Sequence, residues 1–251
     1  MADTVSSYEL QGRRALITGA GKRVGAAIAQ RLGRAGMQVA IHYNRSKDGA
    51  EQCRREIERA GGKAWLLQAD LRTPQACRTL VERAVGTLGG LDVLVASAAD
   101  FDAVALQAIT PETWAQTMAL NLEAPLWMAQ HAAPTLRASG GAIVFVTCHS
   151  TMRPFKGYLP YVVSKAALKQ LMHALALELA PEVRVNAVAP GAVLPPDDAV
   201  PAARTRMAHR NLLGKLGRAE DVADAVMYLL SAPFVTGQQI LVDGGQFLND
   251  L

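Results

Sequence analysis

Short apolar runs rich in β-branched residues alternate with longer stretches of helical spacing over almost the whole of this 251-residue chain. The runs lie at 14–18, 38–43, 64–68, 91–95, 142–146, 183–188 and 239–242. A strand–helix–strand repeat pairs neighbouring strands in parallel, because each helix carries the chain back across a face of the sheet. The order therefore predicts an α/β fold, one parallel sheet with helices on both faces. Helix starts are marked at Thr73-Pro74 and Thr110-Pro111, each a hydroxyl N-cap followed by proline in the first turn. On the second of these helices Trp114, Met118, Leu122, Leu126 and Ala129 form an apolar stripe.

Half of the residues are apolar and 19% are charged, which suits a single well-buried unit over residues 1–251. No linker, repeat or low-complexity tract interrupts it. One long irregular stretch, 191–215, is expected to be a substrate lid, its second half alternatively a short packed helix with solvated flanks. A net charge of +4 is spread without a basic run, so an anionic small molecule is a better partner than nucleic acid. Cys53, Cys77 and Cys148 are far apart and lack metal-ligand spacing, as expected for reduced thiols and no metal site. The acidic residues of the first ten positions do not suit a secretory signal, and no apolar segment reaches membrane-spanning length. The expectation is a cytoplasmic protein that does not enter membranes.

Between the first strand and its helix lies Thr18-Gly19-Ala-Gly21-Lys22-Arg23-Val24-Gly25. Glycines allow a tight turn and close backbone approach, and the following helix turns its free N–H groups toward a pyrophosphate. Such a loop at this place predicts a dinucleotide site. The second strand ends in His42-Tyr43-Asn44-Arg45-Ser46, with no acidic residue to grip a ribose 2′-hydroxyl. Arg45 and Ser46 instead offer a cation and a hydroxyl to a 2′-phosphate, so NADPH is favoured over NADH. Asp70, ending the third strand, is placed to accept from an adenine amino group.

Tyr161 and Lys165 stand four residues apart and would leave one helical face together. An ammonium about 5 Å from a phenol, at an effective dielectric of about 20, favours phenolate by about 3 kcal/mol. That lowers the phenol by about two pKa units and makes it a usable proton donor. The pair alone is common on exposed helices; its weight comes from the rest of the chain. In Asn121-Leu-Glu-Ala-Pro125 the proline has no N–H, so the Asn121 carbonyl loses its helical donor and needs another, water being the natural one.

Together, Thr18-Gly19…Gly25, Asp70-Leu71, Asn121, Tyr161-x-x-x-Lys165, Pro190-Gly191 and Val242-Asp243-Gly244-Gly245 resemble the short-chain dehydrogenase/reductase family over nearly the whole chain. The resemblance implies a Rossmann-like, doubly wound sheet of seven strands, a nicotinamide cofactor and a homotetramer. It implies catalysis by Tyr161, Lys165 and Asn121, with Cys148 at the position of the substrate-orienting serine. Cofactor contacts are implied at Gly19, Lys22, Arg23, Val24, Gly25, Tyr43, Asn44, Arg45, Ser46, Asp70, Leu71, Lys165, Pro190, Gly191 and Val193. Four positions depart from the family: Arg23 for glycine, Ala96-Ser97-Ala98-Ala99 for Asn-Asn-Ala-Gly, Pro195 for threonine, and Cys148 for serine.

The segments Thr18 to Gly25, His42 to Ser46, Asn121-x-x-Ala-Pro125 and Phe234-Val-Thr-Gly237 look like the pteridine reductases within that family. On this resemblance Phe101, Arg23 and Leu194 line the substrate site, and the substrate is a pterin-like heterocycle or small carbonyl compound. A 3-oxoacyl-thioester reductase is the alternative enzyme, and a non-catalytic NADPH-binding regulator the alternative of another class. A thiol donates weakly, so Cys148 cannot hold a carbonyl as serine would, and it stands in for the pteridine reductases' aspartate only if Lys165 lowers its pKa enough to make a thiolate. His149 and Ser150 are the neighbouring donors, but strand alternation directs His149 away from Cys148.

Overall fold

The computed structural model describes residues 10–193 and 200–249. Among the described residues there are seven strands: β1 (Arg14–Ile17), β2 (Gln38–Tyr43), β3 (Lys63–Gln68), β4 (Val93–Ala96), β5 (Ala142–Val146), β6 (Arg184–Pro190) and β7 (Gln239–Val242). They form one sheet in the order β3-β2-β1-β4-β5-β6-β7, and every pairing is parallel. The helices are α1 (Arg23–Arg34), α2 (Lys47–Arg59), α3 (Pro74–Leu88), α4 (Pro111–Met118), α5 (Ala124–Ser139), α6 (Leu159–Leu179), α7 (Pro201–Ala208) and α8 (Ala219–Ser231).

Both faces of the sheet are covered, which is why the strands read as continuous apolar runs rather than alternating ones. The period of two survives inside them. Ala15 and Ile17 of β1 join the cluster beneath α1, α2 and α8, while Leu16 joins the one beneath α3, α5 and α6. Likewise Val144 and Val146 of β5 face the first cluster, and Ile143 and Phe145 the second. Each fully buried side chain of this size contributes about 1.5–3 kcal/mol.

The helix starts read from sequence are present. Thr73 Oγ1 accepts from the Ala76 N–H at 3.2 Å, and Thr110 and Thr113 cap each other's backbone reciprocally. Of the stripe read across the second helix only Ala129 is fully buried. Between α4 and α5 a π-turn, Ala119–Glu123, closes a bond from the Ala124 N–H to the Ala119 carbonyl five residues back. The wide turn shifts the register. Leu120, Ala124, Met128, Ala132 and Leu136 are buried, while Met118, Leu122 and Leu126 are half-buried and Trp114 is exposed. Proline at 125, which cannot donate to the Asn121 carbonyl, explains why the irregularity sits there.

Chain order reverses between β1 and β4, and the carboxyl ends of the strands meet there, where doubly wound sheets bind ligands. In the irregular stretch, α7 occupies part of the second half, with an exposed start. Among the described residues, no helix is long and apolar enough to cross a membrane, and no cluster of His, Cys, Asp and Glu could hold a metal ion.

Candidate active site

The turn from β1 to α1 is built on backbone contacts that exclude side chains. Gly19 has φ +64°, and a Cβ there would stand 2.8 Å from the Ala98 Cα. A Cβ on Gly25 would collide with the Gly19 carbonyl, and one on Gly21 with the Ser46 hydroxyl. Lys22 caps α1 without a side-chain bond, and no acidic residue occupies the first turn. The free N–H groups therefore face outward with the positive end of the helix dipole uncompensated, a cradle suited to an anionic phosphate. Arg23, exposed, has φ +55°, the left-handed region that the family's usual glycine adopts without strain. Val24 is half-buried and packs on the core.

Two residues not singled out from sequence hold this turn. Thr18 Oγ1 accepts from the Ser97 and Ala98 N–H groups, both at 3.1 Å, which fixes the Ala96–Ala99 segment despite its missing asparagines. His42 is buried at the end of β2; its Nδ1 accepts from the Gly19 N–H at 3.2 Å. Its Nε2 lies 3.1 Å from the Ala69 carbonyl, which can only accept. The ring is therefore neutral with its hydrogen on Nε2. Burial lowers its pKa to about 4 against the smaller opposing pull of the Ala69 carbonyl and Asp70. The available signal was a lone polar residue inside an apolar strand.

At the far side of the cradle Tyr43 is buried and Asn44 half-buried, its carbonyl accepting from Gln68 Nε2 at 3.0 Å. Arg45 is exposed, and Ser46, the N-cap of α2, lies against Gly21. Asp70 is exposed beside buried Leu71, and Arg72 pairs with it at 3.0 Å while also pairing with Asp100 at 2.7 Å. On the other side of the switch point, a Cβ on Gly191 would stand 2.5 Å from the Asp243 Cβ. Pro190 and Gly191 are half-buried and Val193 is buried. Leu194 and Pro195 lie outside the described residues.

The first turns of α6 bring Tyr161, Ser164 and Lys165 against the end of β5. Lys165 is 3% exposed; its Nζ donates to the Val146 carbonyl at 2.8 Å and lies 5.7 Å from the Tyr161 ring centroid. Burial lowers its pKa to about 8, opposed by Cys148. Tyr161 moves opposite to the expectation from spacing: desolvation, then the charge and hydrogen bond of Cys148, hold its pKa well above 10. The spacing argument counted one ammonium and omitted both burial and the sulfur. Asn121, fully buried, accepts from the Asp100 N–H at 2.9 Å and donates to the Asp100 carbonyl at 3.0 Å and to Ser164 Oγ at 3.2 Å. Ser164 Oγ in turn donates to the Tyr161 carbonyl at 2.7 Å, so Asn121 braces the helix that carries the tyrosine.

His149 does not point away from Cys148. β5 ends at Val146, so strand alternation no longer applies, and His149 opens a short 3₁₀ turn instead. Its Nδ1 stands 3.6 Å from Cys148 Sγ and 3.3 Å from the Pro190 carbonyl. Sγ also accepts from the Ser150 N–H at 3.4 Å. Burial raises the thiol pKa, but these donors and the charge of His149 outweigh it and bring it to about 7.

Phe101, 54% exposed, stacks on Tyr158 at 4.4 Å and 13° and meets Tyr161 edge-on at 4.7 Å. Phe155 joins both tyrosines and stacks on His149 at 5.5 Å. Tyr158 and Phe155 were missed in the sequence, although Tyr158 lies three residues before Tyr161 and so faces the same way.

A family model described as enoyl-(acyl carrier protein) reductase matches residues 19–246. An L-rhamnose 1-dehydrogenase (NAD(P)(+)) of a Sphingomonas species is 34% identical, over 96% of this chain and 98% of that protein. A short-chain dehydrogenase of Burkholderia cenocepacia, solved in complex with NADP, is 36% identical with a TM-score of 0.89, covering 95% of this chain and 99% of the other. An angucycline C-6 ketoreductase, LanV, solved with bound NADP, is 32% identical with a TM-score of 0.89, over 96% and 97%.

Proposed function

The chain belongs to the short-chain dehydrogenase/reductase family and is an oxidoreductase of that type, and on that premise we propose that it is an NADPH-dependent reductase of a pterin-like heterocycle or small carbonyl compound. The cradle fits the cofactor: glycine contacts that leave no room for a Cβ, an uncapped helix N-terminus, and Arg45 with Ser46 where a 2′-phosphate would lie. When bound, NADPH supplies the hydride. The remaining tasks fall to the chain's own residues.

The observation that carries the reading is the Tyr161–Lys165 pair on one face of α6, its ammonium buried against the Val146 carbonyl. Tyr161 keeps its proton at neutral pH and gives it to the reduced substrate atom. Lys165, with a pKa of about 8, can hold or release a proton in the working range and is suited to restoring the one Tyr161 loses. Asn121 fixes the Asp100 loop and, through Ser164, the start of α6. Phe101 over Tyr158 offers an aromatic wall for a flat ring, which favours the heterocycle. Leu194 and the 191–215 segment would close over it.

A 3-oxoacyl-thioester reductase is the second reading, supported by a 36% identical relative of Streptomyces violaceoruber named as a granaticin polyketide synthase putative ketoacyl reductase, though Cys148 lacks the donor strength to orient a ketone. An assembly of four copies is part of the proposal, and exposed Leu159, Val163 and Leu177 on α6 offer apolar contact area for it. NADPH oxidation is the test, with dihydrobiopterin, with an acetoacetyl thioester and with neither. Turnover with the thioester alone removes the pterin reading. Tight NADPH binding without any turnover makes the chain a binding protein instead.

A further inference from the structure

We propose that Arg72 is a positioning residue that ties the adenine end of the cofactor site to the aromatic wall of the substrate site. The inference rests on the reading of Asp70 as the adenine acceptor and of Phe101 as that wall. The guanidinium stands between two carboxylates from different loops. Nη1 donates to both Asp70 oxygens, at 3.0 and 3.1 Å, and Nη2 donates to Asp100 Oδ2 at 2.7 Å. The Arg72 N–H adds a bond to Asp70 Oδ1 at 3.2 Å. Asp70 follows β3 and Asp100 follows β4, strands that β2 and β1 separate in the sheet. One side chain therefore spans the carboxyl ends of four strands. An exposed ion pair alone contributes little, but the Arg72 side chain is only 26% exposed and meets two anions at once. Burial works against its charge, yet Asp100 and then Asp70 outweigh that and hold its pKa above the ordinary value.

Asp100 is where this bridge reaches the reaction centre. Asn121 holds its backbone N–H and carbonyl, and Arg72 holds its carboxylate. The next hydrogen bond along the chain runs from the Val104 N–H to the Gly157 carbonyl at 2.8 Å. Among the described residues, Phe101, Asp102 and Ala103 thus hang between two hydrogen-bonded anchors, Asp100 and Val104. From that span the Phe101 ring meets Tyr161 edge-on. An adenine amino group on Asp70 would draw on the carboxylate that Arg72 shares, and the adenine ring would exclude water from the pair. Both changes strengthen the hold of the guanidinium on Asp100. Cofactor bound at one end therefore steadies the wall at the other, and a substrate on that wall tightens the cofactor in return.

Adenosine 2′,5′-bisphosphate tests the link, since it carries the adenine half of NADPH and no nicotinamide. Exchange of the Asp100 and Val104 amide hydrogens is followed in the full chain, with and without saturating bisphosphate. It should slow exchange about fivefold in the wild type and leave it nearly unchanged in Arg72→Met and in Asp100→Ala. Equal slowing in either variant overturns the proposal and assigns the effect to Gly19 against Ala98, a contact that both variants keep. No slowing in the wild type overturns it as well. The second measurement is steady-state reduction of dihydrobiopterin by NADPH. Arg72→Met should raise the KM for the pterin about fivefold with kcat little changed, and should add nothing further in a Phe101→Ala background. A rise that persists in that background overturns the path through Phe101. If exchange behaves as expected but dihydrobiopterin is not reduced, the pterin reading falls and the Arg72 link stands.

Discussion

The two edges of the sheet treat buried charge in opposite ways. At the amino edge Asp92, with a side chain 4% exposed, accepts from the Arg14 backbone N–H and guanidinium at 2.7–2.9 Å and from Arg13 at 3.3 Å. Burial pushes its carboxyl up, but Arg14 and Arg13 outweigh that and hold it below its ordinary value. At the carboxyl edge Lys165 is as deeply buried and has one hydrogen bond, to the Val146 carbonyl, with the Tyr161 ring and the Cys148 sulfur as its other neighbours. Charge that is matched donor for acceptor pins strands together. Charge left short of partners has a proton that can leave at a useful pH, and that is the edge where the proposed reading puts the chemistry.

The contrast is sharpest in a pair of substitutions. Lys165→Met should lower kcat/KM by about 10³-fold, equivalent to about 4 kcal/mol of transition-state stabilisation, with no loss in the urea midpoint. Its pH signature is stability that rises with pH. Folded Lys165 gives up its proton near 8 while the unfolded lysine keeps it to about 10.5, so between them the unfolded chain binds more protons. That rise should vanish in Lys165→Met. Asp92→Ala should do the reverse: a loss of about 3 kcal/mol in urea unfolding, from the carboxylate partner that Arg13 and Arg14 lose, with turnover per folded molecule retained. If Lys165→Met unfolds the protein, or Asp92→Ala abolishes turnover in folded enzyme, the two edges do not differ as described.

How much of this could be read in advance follows the same division. β2, β5 and β7 fall on the residues expected because short β-branched runs bounded by turn residues mark a strand. β6 runs two residues beyond expectation, to Pro190, since proline at a strand end needs no N–H. Periodicity failed at Ala119–Glu123, where one wide turn rotates all that follows. Spacing placed Tyr161 and Lys165 on one face but gave the wrong direction for the tyrosine. That direction depends on burial and on Cys148, thirteen residues away in the chain, and neither is a local property. His149 was misdirected by one assumption, that β5 continues to it.

His42 belongs to the carboxyl edge but behaves as a structural pin, so it tests whether the division is one of place or of partners. It is neutral and fully bonded, to Gly19 and Ala69. The folded pKa, about 4, lies below the ordinary 6.5, so the unfolded chain binds more protons between those values and stability falls as pH drops through them. The loss should be about 2–3 kcal/mol in urea unfolding from pH 7 to 4. His42→Gln should flatten that slope while raising the KM for NADPH by loosening the Gly19 turn. An unaltered slope would assign the acid sensitivity to other groups.

The smallest effect expected is at Arg23, where fold and function pull apart within one residue. Its φ of +55° lies in the left-handed region, a conformation that costs a non-glycine residue about 1 kcal/mol. Arg23→Gly should therefore raise the unfolding free energy in urea by up to that amount, offset in part by glycine's freer unfolded chain. The guanidinium at the start of α1 is lost in the same change, beside a helix N-terminus without a side-chain cap or an acidic residue in its first turn. NADPH should bind several-fold more weakly, with a smaller dependence on salt, while kcat changes little. Strain retained for the sake of a positive charge predicts a gain in stability coupled to a loss in cofactor affinity. A variant that loses stability, or binds NADPH as tightly as before, shows that the arginine is held there by some other contact.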